Sequence, residues 1–202
     1  MVDQNTPPPP PAPLTVGVDG SLAAARRTVL REIEALLTRA SESEALELMG
    51  ALFDARRVMV LGAGRSKLAV DAFAMRLMHL GLTAHVAGDV TCPAISGGDL
   101  LVACSGSGHT PTVVQRAEAA RRAGARIAAV TANLDSPLAR LADIRVHLGE
   151  YSQDFEPDAS TQFVGTLFEQ GALVFFDCLI LAIQRTHDVD PTEMYARHTN
   201  LE

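Results

Sequence analysis

From Val58 onward, short apolar runs alternate with stretches of helical periodicity, and this rhythm constrains the fold more than any other feature of the chain. VMVL at Val58 precedes a helix predicted from Ser66 to Leu80 and closed by Gly81, and TAHV follows. The pattern continues as LLVAC from Leu100, a helix from Pro111 to Ala123 stopped at Gly124, and RIAAVT from Arg126. A short helix begun by Ser136 and Pro137 then leads to IRVHL from Ile144. Strands separated by helices pair in parallel, and right-handed crossovers place the helices on both faces. The expected fold is therefore α/β, a three-layer αβα sandwich around a five-stranded parallel sheet. No repeat of fixed period is present, which disfavours a solenoid.

Ligands of such sheets bind beyond the carboxyl ends of the strands. Two small-residue turns stand at that edge. In LLVACSGSGHTPT, Ser105, Gly106, Ser107 and Gly108 let the backbone curl around an anion while hydroxyls and N–H groups point at its oxygens. Thr110 and Pro111 read as N-cap and first helical residue, so a helix opens behind the turn with its positive end towards the ligand. A nucleotide P-loop is excluded, because no lysine follows Gly106 or Gly108 at the required place. The other turn is GAGRS, Gly62 to Ser66. A dinucleotide fingerprint would need a third glycine where Lys67 stands. Taken alone, the first turn is also explained as a serine- and glycine-rich connection that merely starts a helix. Two of them at one edge suit a phosphorylated small molecule.

The 202 residues are enough for one α/β domain with a sizeable core, and a formal net charge of -7 argues against nucleic acid or an anionic membrane as partner. Positive field for a phosphate must then be local, from helix N-termini with Arg65 and Lys67 nearby. Cys92, Cys104 and Cys178 lack C-x-x-C spacing and read as reduced thiols of a cytoplasmic protein. The histidines are scattered, so no metal site is expected. MVDQNTPPPPPAPL lacks the basic and apolar regions of a signal peptide, and residues 1–20 read as a disordered proline-rich tail. The apolar segment Phe163 to Ile183 contains Glu169, Gln170 and Asp177 without a charged collar, which favours a helix buried in protein over a membrane span.

Two helices precede the sheet. Ser21 starts LAAARRTVLREIEALL with the stripe Leu22, Val29, Ile33 and Leu36; Ser41 and Glu44 form a capping-box pattern before Leu46, Met49 and Phe53, with Leu48 and Leu52 as the adjoining row. After the sheet, Thr161 to Thr186 reads as one helix in which Glu169 continues the row Leu173, Phe176, Ile180 and Ile183. Partial desolvation makes such a carboxylate a stronger base. An edge-of-face glutamate paired with an arginine fits the same spacing. Asp177 lies on a more polar row and reads as structural. Asp190, Pro191 and Glu193 start a short helix ending near Arg197 and His198, and a lone histidine there reads as solvated.

From Val58 to Glu202 the chain resembles the sugar isomerase (SIS) domain family and, within it, the 6-phospho-3-hexuloisomerases. The resemblance rests on GAGRS, AFAMRLMHLGL, GDVTCPAISGGDLL, SGSGHT, GTLFEQGALVFFD and RHTNLE. It implies a flavodoxin-like sheet in a single domain over residues 21–202. It also implies cofactor-free interconversion of D-arabino-3-hexulose 6-phosphate and fructose 6-phosphate through a cis-enediol, in the ribulose monophosphate pathway of formaldehyde fixation. Ser66 and the turn Ser105, Gly106, Ser107, Gly108, His109 and Thr110 would hold the substrate, and Glu169 would transfer the proton. His198 would assist ring opening or polarise a carbonyl, in its own site or a neighbour's. A homo-oligomer is implied, a tetramer before a dimer. His109, Cys92 and the QFVG before TLFE depart from the usual pattern, while the base and the hydroxyls are kept.

Two other readings share the loops. An arabinose 5-phosphate or sedoheptulose 7-phosphate isomerase would place its acids and histidines differently, and GTLFE and RHTNLE favour the hexulose. A non-enzymatic sugar-phosphate sensor would need a DNA-binding module. Residues 21–57 are too short, and too acidic at SESEALE, for one.

Overall fold

A computed structural model describes residues 20–149, 160–163 and 165–201. The proline-rich tail expected over residues 1–20 lies outside them except for Gly20. The chain order is α1 (Leu22–Thr38), α2 (Glu42–Asp54), β1 (Val58–Leu61), α3 (Gly64–His79), β2 (Ala84–Val86), β3 (Leu100–Cys104), α4 (Pro111–Arg122), β4 (Arg126–Thr131), α5 (Pro137–Leu141), β5 (Ile144–His147), α6 (Thr166–Thr186) and α7 (Pro191–Ala196). The five strands form one parallel sheet in the order β2-β1-β3-β4-β5. The chain leaves β1 in one direction for β2 and returns on its other side as β3. The crevice between the carboxyl ends of β1 and β3 is thus the switch point where open α/β sheets bind ligands.

Every residue of β1 and β3 is buried, as expected for strands covered on both faces. Val58, Val60, Leu100, Val102 and Cys104 face the layer that contains Leu36, Leu48, Phe73 and Phe176. Met59, Leu61, Leu101 and Ala103 face Val113, Ala117 and Leu138 of α4 and α5. Phe73 and Phe176 stack at 4.3 Å between ring centroids and join α3 to α6. Each such burial contributes roughly 2–3 kcal/mol.

Several local expectations are corrected. α3 begins at Gly64, ahead of the expected Ser66, so Arg65 and Ser66 belong to its first turn, behind Gly62 and Ala63. Gly62 is required there, because a Cβ would sit 2.8 Å from Lys67 N. α6 begins at Thr166 and not at Thr161, since Gly165 adopts φ 80 and cannot continue a helix. Leu22 is exposed in α1, where only Leu36 of the stripe is fully buried. In α2, Leu48 and Leu52 are buried while Leu46 and Phe53 are exposed. Ser41 Oγ does accept from Glu44 N, but the Glu44 carboxylate accepts from His147 N at 2.8 Å and ties α2 to β5, so no reciprocal capping box forms. α6 has the length and hydropathy of a membrane span, yet Phe168, Phe175, Phe176, Leu179, Ile180 and Ile183 are buried in the domain.

At the opposite edge of the sheet, Asp99 closes the start of β3. Its fully buried carboxylate accepts from Arg57 Nη2 at 2.6 Å, Arg56 Nη2 at 3.1 Å and Ser96 N at 2.9 Å. The Arg57 guanidinium, with Ser96 and Arg56, outweighs burial and holds the carboxyl far below the usual aspartate value.

Candidate active site

The turn after β3 is held from beneath. Gly106 O accepts from Ala132 N at 3.1 Å and from Thr131 Oγ1 at 3.1 Å, and Gly108 O accepts from Leu138 N at 3.2 Å. Gly108 has φ 63, and a Cβ there would fall 2.0 Å from Ser136 Oγ. Glycine is therefore enforced by backbone and by packing alike. A Cβ on Gly106 would lie 2.9 Å from the Phe168 ring, so this glycine lets α6 close over the turn.

The two serines differ. Ser105 is buried; its Oγ lies 2.9 Å from Thr110 Oγ1 and accepts from Gly108 N at 3.2 Å. That hydroxyl braces the turn from inside. Ser107 is half-buried and its Oγ accepts from His109 N at 3.1 Å, while the exposed His109 places Nδ1 2.8 Å from Ser107 O. Thr110 stands at the N-cap as expected, but its hydroxyl turns to Ser105 and makes no capping bond to α4.

Three helix starts at this mouth share a property. α3, α4 and α6 begin at Ala63, Thr110 and Gly165 without a side-chain cap. α5, whose start braces Gly108 of the turn, is capped by Ser136, and α1, α2 and α7 are capped by Ser21, Ser41 and Asp190. The first N–H groups of an α-helix need a partner, and helix starts without a side-chain cap are a chemistry suited to an anion.

Glu169 lies in the first turn of α6. Arg65 Nε is 3.1 Å from its Oε2, and Arg65 Nη1 donates to Thr166 Oγ1 at 3.4 Å. The carboxylate retains 22% side-chain exposure. It is thus partly buried and also paired with an arginine, joining the two readings that its spacing left open. The Cys104 thiol is pushed up to about 12 by burial, with the nearby charge of Glu169 adding to the effect. Lys67 is directed away from the turn into a 2.5 Å pair with Asp71, so the local positive charge expected of it is spent within α3.

Ser66, the Ser105–Thr110 turn and Glu169 are gathered at the switch point. His198 is not. Its ring stacks on His79 at 5.1 Å, and Arg197 Nη1 donates to His79 O at 3.1 Å. Ser66 and His79 lie near opposite ends of the 16-residue α3, about 20 Å apart along its axis. Phe168 and Thr131 carry no site signal of their own in the sequence beyond the glycines at 106 and 108 that they approach; Ser136 reads there only as the start of α5, and the partner of Glu169 only as an unspecified arginine. Among the described residues no cluster of three or more His, Cys, Asp or Glu side chains could hold a metal, and Cys92, Cys104 and Cys178 are unpaired.

Known proteins share this sequence and fold. The SIS domain model matches residues 51–162. The 3-hexulose-6-phosphate isomerase of Mycobacterium gastri is 52% identical over 147 residues, covering 72% of this chain and 74% of that protein. The 3-hexulose-6-phosphate isomerase of Bacillus subtilis strain 168 is 34% identical over 176 residues, 86% of this chain and 95% of its own. A Methanococcus jannaschii crystal structure, from which a molecular function of 3-hexulose-6-phosphate isomerase was inferred, superposes with a TM-score of 0.76 at 30% identity, covering 88% of this chain and 99% of that one. With the family model matching more than half of its length, and these relatives matching most of it, the chain belongs to the SIS domain family, among its 3-hexulose-6-phosphate isomerases.

Proposed function

We infer that this protein isomerises D-arabino-3-hexulose 6-phosphate to fructose 6-phosphate. The observation that carries the inference is the 52% identity to the Mycobacterium gastri isomerase. A carboxylate standing beside a braced serine–glycine turn at the sheet's switch point supports it.

In this reading Ser66, Ser107, His109 and the N–H groups of the Ser105–Thr110 turn take the phosphate and sugar oxygens. Glu169 removes the proton from C2, the C–H electron pair becomes the C2–C3 double bond, and O3 gains a proton. The product is the cis-enediol. Loss of the O2 proton then forms the C2 carbonyl as Glu169 returns its proton to C3. C2 is oxidised while C3 is reduced, so the step balances within the substrate. One carboxylate on one face serves both transfers. The same reading places the protein in the cytoplasm as a homotetramer, with the exposed apolar side chains of α3 and α6, among them Leu68 and Leu181, at subunit contacts. His198 then serves the site of a neighbouring subunit. Formaldehyde fixation through the ribulose monophosphate pathway is the process served.

The test is a coupled assay following fructose 6-phosphate formation, with Glu169→Gln alongside. Turnover by the wild type, reduced about 10³-fold or more in the folded variant, is the expected result. Binding of sugar phosphate without turnover would redirect the assignment to another SIS substrate or to a sensor.

A further inference from the structure

α1 lies outside the residues matched by the family model, yet it reaches the chain just ahead of the catalytic helix. The Glu32 carboxylate accepts four hydrogen bonds from residues 160–162: Ser160 Oγ at 2.8 Å and Gln162 Nε2 at 2.9 Å on Oε2, Thr161 N at 3.1 Å and Thr161 Oγ1 at 3.0 Å on Oε1. Burial acts to raise its carboxyl pKa, but the bonds from Gln162, Thr161 and Ser160 outweigh it and hold the pKa below the usual glutamate value. One turn further along the same face of α1, Leu36 fills the space above two glycines. A Cβ at Gly171 would lie 2.6 Å from Leu36 Cδ2, and one at Gly149 would lie 3.0 Å from Leu36 Cδ1. Gly149 follows β5 and Gly171 lies within α6. α1 therefore grips the chain on both sides of the connection that returns it from the sheet edge to the active site.

The backbone just downstream of residues 160–162 makes the grip consequential. Phe163 O accepts from Thr166 N at 3.0 Å, Gly165 turns the backbone through a positive φ, and Gly165 O accepts from Glu169 N at 3.0 Å. The start of α6 has no side-chain cap of its own. Its position is inherited from the residues before it.

We propose that Glu32 is a positioning residue of the isomerase, clamping residues 160–162 so that α6 begins where Glu169 faces the substrate. The proposal rests on Glu169 being the proton-transferring base. A carboxylate suits the post, because it accepts all four bonds at once, two of them from N–H groups, and its charge strengthens each. A glutamine would keep one acceptor oxygen, lose the charge and set its own N–H groups against the Gln162 Nε2 donor. The phosphate turn is braced separately, by Thr131 and the start of α5, so losing the clamp displaces the base and leaves the phosphate contacts in place.

The experiment uses the full-length enzyme and Glu32→Gln, with hydrogen exchange read over residues 160–170 and 100–110, and kcat and KM corrected for the folded fraction. The expected result is exchange about tenfold faster in residues 160–170 alone, kcat lowered about tenfold and KM within about twofold, since a small misplacement of a reacting group is costly. Gln162→Ala should lower kcat by itself and add little on top of Glu32→Gln, because both act through one contact. Unchanged exchange in residues 160–170, loosening spread evenly over both regions, or kcat within twofold of wild type would overturn the proposal. A wild type without isomerase turnover would instead overturn the assigned function, and hydrogen exchange alone would then decide whether Glu32 sets the start of α6.

Discussion

Arg65 and Glu169 meet across the switch point, Nε 3.1 Å from Oε2, and join the first turn of α3 to the first turn of α6. The contact occupies one oxygen of the carboxylate. Oε1 has no hydrogen-bond partner among the described residues and, in the proposed mechanism, is the oxygen that carries the proton. In the same mechanism Arg65 would offset the repulsion between Glu169 and the substrate phosphate.

Arg65→Gln should therefore lower kcat by about 10- to 100-fold, with a smaller rise in KM from lost charge compensation. Arg65→Lys should recover only part of kcat, because an ammonium cannot hold Glu169 and Thr166 in a fixed fork. Steady-state kinetics on both variants decide the matter. A KM effect with unchanged kcat would make Arg65 a phosphate ligand and not a partner of the base.

The two serines of the turn should separate in their effects. Ser105→Ala removes a buried brace, lowering Tm by about 2–4 °C and raising KM. Ser107→Ala should raise KM with Tm unchanged. Thermal melts set beside Michaelis constants test the contrast, and equal Tm losses would contradict it.

Gly106→Ala should be a local lesion. Its Cβ would press on the Phe168 ring at 2.9 Å and tilt the first turn of α6, reducing kcat while leaving the circular dichroism spectrum intact. Gly108→Ala should be worse, because positive φ and the 2.0 Å approach to Ser136 Oγ both oppose it. Soluble yield and Tm would rank the two.

Acid should act first at Asp99. Its folded carboxyl lies far below the unfolded value near 4, so its contribution is complete above that value and is lost as pH falls towards the folded one. Tm of the wild type should decline from about pH 5 downward. Asp99→Asn should melt about 5–10 °C lower at neutral pH and show a flatter decline in acid. Parallel Tm curves for the two proteins would remove Asp99 as the cause.

Which features could be read from sequence depends on the range of the forces behind them. LLVAC gave β3 at its true bounds because a doubly buried strand is a continuous apolar run, ended here by Ser105. Ser136–Pro137 and Asp190–Pro191 gave α5 and α7 because capping is local. The start of α3 was misplaced, since Ala63 supplies no capping signal. The start of α6 was misplaced because apolar residues continue on both sides of Gly165, whose conformation depends on a segment tied to Glu32 far back in the chain. Helical spacing identified Glu169 as half-buried but could not name Arg65 as its partner. That pairing arises only when α3 packs against α6, as the Phe73–Phe176 stack shows.

The uncapped starts of α3, α4 and α6 have a thermodynamic corollary. Serine or aspartate at Ala63 would strengthen a helix, yet in the proposed binding mode would fill the seat of the substrate phosphate, so the position easiest to stabilise by design is one where stability competes with turnover. The free enzyme should fray first at these three turns. Sugar phosphate should stiffen them together, as though the substrate were a capping side chain delivered from solution.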